Sequence, residues 1–140
     1  MSEPNQNDFE KQLPATLALL NELVNIESPS TEKLAVDRLS ARMVAILQEL
    51  GGQVELIEKT TCGNQVRARW GEGTGQILLL CHMDTVFGTG TTAARPFSVD
   101  GDRAFGPGVL DMKGGIAILI ATIRFHAVSG RCGPSALSAD

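Results

Sequence analysis

The apolar run at residues 76–81, QILLLC, constrains the fold of this chain more than any other feature. An uninterrupted apolar run is typical of a strand that lies inside a sheet with both of its faces covered. Apolar residues at helical spacing precede the run at residues 8–25 and 32–50 and follow it at residues 113–128. Helices on either side of a buried strand predict an α/β fold.

Shorter segments with alternating apolar and polar residues predict the remaining strands. Residues 53–58 and 64–70 alternate in this way and are expected to form half-exposed strands. An Asp-Gly pair separates residues 97–99 from residues 103–105, and this pair is a strong signal for a two-residue hairpin turn. Residues 87–95 are rich in glycine and threonine and are expected to form a loop.

The end of the chain departs from this pattern. A parallel strand is expected after the helix at residues 113–128, because strand–helix units continue in that way. The last ten residues, RCGPSALSAD, show neither a strand pattern nor a helical one. We therefore expect residues 1–128 to form a partial, truncated domain and residues 129–140 to form an aberrant or disordered tail.

Composition argues against several classes of partner. The formal net charge is −4, whereas a surface that binds nucleic acid is usually basic. The polar start of the chain, MSEPNQNDFE, lacks the apolar stretch of a secretion signal, and no apolar run reaches the roughly 20 residues of a membrane span. Three widely spaced cysteines without a CxxC pair favour a reducing compartment. We expect a cytoplasmic protein that binds neither nucleic acid nor membrane.

His82 and Asp84 stand at the carboxyl end of the apolar run, where open α/β sheets bind their ligands. Residues i and i+2 of a strand point to the same side, so both side chains can face one cleft. A histidine whose second ring nitrogen is held by a carboxylate is a common zinc ligand. The alternative is a core histidine followed by an aspartate that begins a loop. Cys81 points to the opposite face and is expected to be a core thiol.

Asp111 stands in the glycine-rich segment GPGVLDMKGG, directly before the third helix. One interpretation of Asp111 is an N-cap of that helix. The glycines could also indicate a phosphate loop, but Asp111 takes the place of the third glycine of a dinucleotide fingerprint, and no Lys-Ser/Thr pair follows. A carboxylate repels phosphate and attracts a cation, which favours a metal site over a nucleotide site.

Together, the motifs LLLCHMDTV and RAFGPGVLDMKGG resemble the two N-terminal signatures of the zinc aminoacylase and carboxypeptidase family. The residues between the motifs are most similar to the glutamate carboxypeptidase branch, and the resemblance covers residues 9–128. It implies the N-terminal part of a three-layer zinc-peptidase catalytic domain with a mixed, mostly parallel sheet. It also implies hydrolysis of a small peptide or an N-acyl amino acid.

The resemblance further implies a pair of zinc ions, replaceable by Co²⁺, that activates a water for attack on an amide carbonyl. It implies that His82 binds one zinc ion and that Asp111 bridges both. Asp84 matches the catalytic acid that orients the histidine. A cis peptide bond is implied between Asp111 and Met112.

Several parts of the family pattern are missing from this chain. Family members continue with paired glutamates, a further acidic ligand, a dimerisation domain and a distal histidine, whereas the only acid after Asp111 is Asp140. His82 and Asp111 alone do not complete a four-coordinate zinc site. We therefore expect an N-terminal fragment without activity of its own, and not the homodimer of the complete family. The alternative is a non-catalytic α/β remnant with at most weak cation binding.

Overall fold

The structure is a computed structural model, and it describes residues 6–72 and 75–128. In that part of the chain, no helix is both long enough and apolar enough to cross a membrane. The predicted tail at residues 129–140 lies outside the described residues. The elements follow in the order α1 (Gln6–Asn25), α2 (Lys33–Glu49), β1 (Gln53–Ile57), β2 (Gln65–Arg69), α3 (Thr91–Ala94), β3 (Ser98–Asp100), β4 (Arg103–Phe105) and α4 (Gly114–Val128).

The core is formed by the apolar faces of α1, α2 and α4. Three- and four-residue spacing places the apolar side chains of α1 and α2 on one face of each helix, and each buried side chain contributes about 1.5–3 kcal/mol. All three helices lie within two residues of their predicted bounds, so these predictions are confirmed. The buried cluster consists of Leu19, Leu20, Leu23, Val24, Leu39, Met43, Ile46, Ile116, Ala117 and Ile120.

Strands β1 and β2 were predicted as half-exposed strands from their alternating patterns. In the structure they form an antiparallel hairpin. Gln53 lies opposite Arg69, and Ile57 lies opposite Gln65. Trp70 follows β2 directly and donates its Nε1–H to the carbonyl of Leu50, 3.0 Å away. This hydrogen bond joins the hairpin to the residue that ends α2.

Strands β3 and β4 form the hairpin that the Asp-Gly pair predicted. Ser98 lies opposite Phe105, and the turn between the strands contains Gly101 with φ of +58°. A positive φ is what the Asp-Gly signal indicates, so this prediction is confirmed. The expected loop at residues 87–95 contains one short helix, α3, which its composition did not predict.

The apolar run at residues 76–81 does not form the buried strand that was predicted. Its residues Ile77 to Leu80 are between 62% and 91% exposed, and Cys81 is exposed rather than a core thiol. The ladders of the described residues are β1–β2 and β3–β4, both antiparallel, and neither takes up this run. A strand that is apolar on both faces is buried only where neighbouring strands are available. Those two predictions are wrong, while the partial α/β class, with helices packed against small strands, is confirmed.

Candidate metal centre

The segment that follows the apolar run is fixed against the residues after α1. Thr85 donates its backbone N–H to the carbonyl of Ser28 at 2.8 Å, and Ser30 donates its own N–H to the carbonyl of Thr85 at 2.9 Å. The Ser28 hydroxyl also donates to the carbonyl of Met83 at 2.8 Å. These contacts surround an isolated parallel bridge between Pro29 and Thr85. They hold the backbone directly after His82 at a defined place.

The second motif reaches the same place through a glycine that no other residue can replace. Gly108 has φ of +76°, and a Cβ added to it would lie 2.6 Å from Cγ2 of Thr85. Glycine is therefore required for both its backbone conformation and its lack of a side chain. The following turn, Val109–Lys113, has non-helical backbone angles at Asp111 (φ −134°, ψ 95°). The peptide bond between Asp111 and Met112 is cis, as the family resemblance implied.

His82 and Asp111 are in direct contact, although they are 29 residues apart in the chain. Nε2 of His82 lies 2.9 Å from Oδ1 of Asp111. The backbone N–H of His82 donates to Sδ of Met112 at 3.3 Å. Both side chains are open to solvent, with 47% of His82 and 82% of Asp111 exposed. The fold thus brings together the histidine of the first motif and the carboxylate of the second, whereas strand spacing had placed His82 beside Asp84.

Asp84 contacts the other ring nitrogen of His82. Its carbonyl oxygen lies 3.1 Å from Nδ1, and its carboxylate oxygen Oδ1 lies 3.4 Å from the same atom. A carbonyl only accepts, so Nδ1 carries the proton in this contact. The orientation of the ring therefore comes first from the backbone of Asp84 and second from its side chain.

The charge state of His82 follows from this arrangement. Both ring nitrogens face oxygen atoms, which favours the doubly protonated imidazolium. The hydrogen bond to Asp111 raises the pKa of His82 most, and the Asp84 carbonyl and the charges of both carboxylates add to it, while burial opposes the rise. A cation that replaced the Nε2 proton would face the Asp111 carboxylate, while Asp84 would keep its contact with Nδ1.

The atom types of this pair suit a zinc ion, whereas the distance between them is shorter than in a zinc site. Imidazole nitrogen and carboxylate oxygen are both zinc ligands, and bonds of about 2.0–2.2 Å at a tetrahedral angle separate two ligand atoms by about 3.3–3.5 Å. The Nε2–Oδ1 distance of 2.9 Å is about half an ångström shorter than this. Within residues 6–72 and 75–128, no group of three or more His, Cys, Asp or Glu residues has the arrangement of a metal site. The pair alone could therefore supply at most two of the four positions of a zinc site.

Lys113 is the residue beside this site that the sequence did not single out. Its side chain is 2% exposed, and its ammonium donates to the carbonyls of Leu23 at 2.8 Å and Ile26 at 2.9 Å. Burial lowers the pKa of Lys113 to about 8, and the Glu27 carboxylate opposes this effect. The available signal was a single lysine between a glycine-rich turn and an apolar helix.

Glu27 is a second residue that the sequence did not single out. Its carboxylate accepts hydrogen bonds from the backbone N–H groups of Gly90 and Thr92 and from the Thr92 hydroxyl, each at 2.8 Å. The hydrogen bond from Gly90 lowers the pKa of Glu27 most, followed by those from Thr92. Glu27 thereby caps the short helix α3 from a distance in sequence, which a local pattern does not predict.

Comparison with known proteins matches the part of the chain that contains both motifs. Residues 78–133 match the model of Peptidase family M20/M25/M40. This range includes His82, Asp84 and Asp111. The family match and the contact between His82 and Asp111 therefore concern the same stretch of sequence.

Relatives of this chain are hydrolases by name. Carboxypeptidase G2 of Pseudomonas sp. (strain RS-16) is 35% identical over 114 residues, which cover 79% of this chain and 28% of that protein. The acetylornithine deacetylases of Edwardsiella ictaluri (strain 93-146) and Vibrio parahaemolyticus are 34% and 32% identical, and each match covers 81% of this chain and 32% of the relative. The chain thus spans about a third or less of the length of these relatives. The comparisons confirm the resemblance that the two motifs indicated, and residues 78–133 of this chain are similar to Peptidase family M20/M25/M40.

Proposed function

We propose that this chain supplies part of the metal site of a hydrolase that cleaves peptide or amide bonds. The observation that carries the proposal is the 2.9 Å contact between His82 and Asp111, inside the stretch that matches a peptidase family. Two side chains of metal-ligand type, 29 residues apart, meet at the ends of two motifs. An ordinary core histidine would be buried, whereas this one is 47% exposed and open to a ligand.

The proposed roles follow from the atoms that face one another. His82, through Nε2, and Asp111, through its carboxylate, would be the residues that hold the zinc ions. The Asp111 side chain is 82% exposed, so its carboxylate would be accessible to them. Asp84 keeps the His82 ring oriented through Nδ1, so that Nε2 points towards Asp111. A bound zinc ion, or Co²⁺ in its place, supplies a Lewis acid that activates water at neutral pH.

The substrate class proposed for the whole protein is a small peptide or an N-acyl amino acid. The support is the similarity to a carboxypeptidase and to deacetylases. We propose that the described residues alone do not turn over such a substrate, because they supply two ligands where a zinc site needs four. They are also proposed not to form the homodimer that the complete family implies.

A second candidate function is a non-catalytic α/β remnant with at most weak cation binding. The observation in its favour is the exposed apolar run at residues 76–81, which leads directly into His82. A ligand at the end of an unsupported segment is held less firmly than one at the end of a buried strand.

Calorimetric titration with Zn²⁺ separates the two candidates. If the chain supplies part of a metal site, we expect wild type to bind zinc and both His82→Ala and Asp111→Ala to abolish the binding. Asp102→Ala is the matched control, since its carboxylate is 98% exposed and lies in the β3–β4 turn, outside the contact between His82 and Asp111. Tight binding of two ions would contradict the remnant, and binding that survives both variants would contradict the site. Turnover of an N-acyl amino acid that a chelator abolishes would contradict the proposed inactivity.

A reducing cytoplasm is proposed as the compartment. The support is that Cys62 and Cys81 are both free and exposed thiols, and exposed thiols persist unpaired in such an environment. Labelling the two thiols in freshly lysed cells is expected to find both unoxidised. A mixed disulfide at either residue would contradict this assignment.

A further inference from the structure

The residues that end α1 and follow it contact both motifs of the candidate metal centre. We call residues 23–30 the α1 exit segment. We propose that this segment sets the separation between His82 and Asp111, with Lys113 as the positioning residue on the Asp111 side. The proposal rests on the proposed function in so far as the two residues are taken as metal ligands. Their relative position is a property of the metal-free chain and can be tested without a metal.

On the His82 side, the α1 exit segment acts through backbone hydrogen bonds. The Ser28 carbonyl accepts from Thr85 N–H at 2.8 Å, and the Thr85 carbonyl accepts from Ser30 N–H at 2.9 Å. The Ser28 hydroxyl adds a hydrogen bond to the Met83 carbonyl at 2.8 Å. Met83 is the residue next to His82, so the backbone that presents the imidazole is anchored one residue and three residues beyond it.

On the Asp111 side, the α1 exit segment acts through one buried cation. The Lys113 ammonium donates to the carbonyls of Leu23 and Ile26, at 2.8 and 2.9 Å. Carbonyls at the end of a helix lack intrahelical donors and carry the negative end of the helix dipole, so a cation is well suited to this place. Lys113 lies two residues after Asp111, so its hydrogen bonds hold the turn that contains Asp111 against the α1 exit segment.

Several of the residues that make these hydrogen bonds are buried, whereas His82 and Asp111, which they position, are exposed. Ser28 is 1% exposed and Thr85 6%, and the backbone of Gly108 approaches Thr85 too closely for a Cβ. An ion pair between exposed side chains, such as His82 and Asp111, contributes little by itself. Their 2.9 Å contact is therefore set by the buried hydrogen bonds behind it and not by their own attraction.

Methionine methyl groups report the two relevant regions separately. The chain has four methionines; Met112 lies next to Asp111, with its sulfur 3.3 Å from the backbone nitrogen of His82. Met43 lies in the core cluster. With ¹³C-methyl methionine, the nuclear Overhauser contact between the Met112 methyl and the His82 amide measures the separation of the motifs. The Met43 methyl shift measures whether the core is intact.

The test compares Lys113→Leu with Ile46→Val, a core substitution in α2 that leaves the α1 exit segment unchanged. We expect Lys113→Leu to lose the Met112–His82 contact while the Met43 shift stays native. We expect Ile46→Val to keep the Met112–His82 contact although it changes the shift of Met43, which lies in the same cluster. A folded Lys113→Leu that retains the contact would overturn the proposal. If Lys113→Leu loses the native Met43 shift, Ser28→Ala decides, because it removes one hydroxyl and no charge. Loss of the contact in Ser28→Ala supports the proposal, and its retention overturns it.

Zinc titration of the same variants keeps the two proposals distinguishable. If wild type binds zinc, we expect Lys113→Leu to bind it at least about tenfold more weakly, as for other supports of metal ligands, and Ile46→Val to bind within about twofold of wild type. Equal affinity in Lys113→Leu and wild type would overturn the positioning role. Failure of wild type to bind zinc would contradict the proposed function, and the Met112–His82 contact would still decide the positioning role.

Discussion

The buried ammonium of Lys113 predicts an unusual dependence of stability on pH. Its pKa is about 8 in the folded chain and 10.5 when the side chain is unperturbed. Between these values the unfolded chain binds a proton that the folded chain has lost, so the free energy of unfolding rises with pH. At about 1.4 kcal/mol per pKa unit, the rise amounts to about 3 kcal/mol. A neutral amine still has two N–H groups, enough for the carbonyls of Leu23 and Ile26.

The measurement is urea unfolding, followed by circular dichroism from pH 7 to pH 11, on wild type and Lys113→Leu with a chelator present. Comparing the two chains removes the contribution of every other titrating group. We expect the difference in free energy of unfolding to grow in favour of wild type by about 3 kcal/mol, mostly between pH 8 and pH 10.5. Lys11→Leu controls for the loss of one lysine, since the Lys11 side chain is 77% exposed.

Two results of the pH series would refute this prediction. A difference between wild type and Lys113→Leu that stays constant over this range would mean that the ammonium is not desolvated in the folded chain. A difference that shrinks would mean that the charged form is favoured by folding, so that the carbonyl acceptors outweigh burial. Either result would contradict the burial argument.

Three further predictions concern other parts of the chain. Glu27→Gln is expected to lower the free energy of unfolding by about 1 kcal/mol at pH 7, as a lost helix cap does; because folding lowers the pKa of Glu27 from 4.5, the difference should fade below that pH, and a difference that persists in acid would contradict the capping role. Gly108→Ala is expected to cost about 2 kcal/mol or more in chemical unfolding, through its positive φ and its approach to Thr85, and a cost below about 0.5 kcal/mol would contradict it. Leu79→Lys places a charge in the exposed apolar run and is expected to reduce non-specific aggregation, measured by light scattering of concentrated samples, and unchanged scattering would contradict the role of this run.

The parts of the fold that follow from local sequence were predictable. Amphipathic spacing identifies α1 and α2 because each helix places its own apolar residues on one face, whatever its partners are. The Asp-Gly pair identifies the β3–β4 turn because Gly101 itself must adopt a positive φ. These features require no knowledge of distant residues.

The parts that depend on distant partners were not predictable to the same degree. The apolar run at residues 76–81 is typical of a buried strand, but burial also requires neighbouring strands, which the run itself does not predict. In the structure Ile77 is 91% exposed. Strand alternation placed His82 and Asp84 on one side, yet the contact with Asp111 depends on the turn after Gly108. Lys113 was missed because its acceptors are 90 and 87 residues away. A buried lysine is rare unless paired, and nothing local identified its partners.

The contact between Lys113 and α1 also determines when the parts of this protein can come together during synthesis. The Leu23 carbonyl accepts a hydrogen bond from the Lys113 ammonium, which is 90 residues further along the chain. At about 5–20 residues per second, a ribosome needs about 5–18 s to add those residues. During that time α1 can form and pack against α2, but its carboxyl end has no cation to bind. The hydrogen bonds at the carboxyl end of α1 can thus form only after Lys113, and therefore also Asp111, has been synthesised.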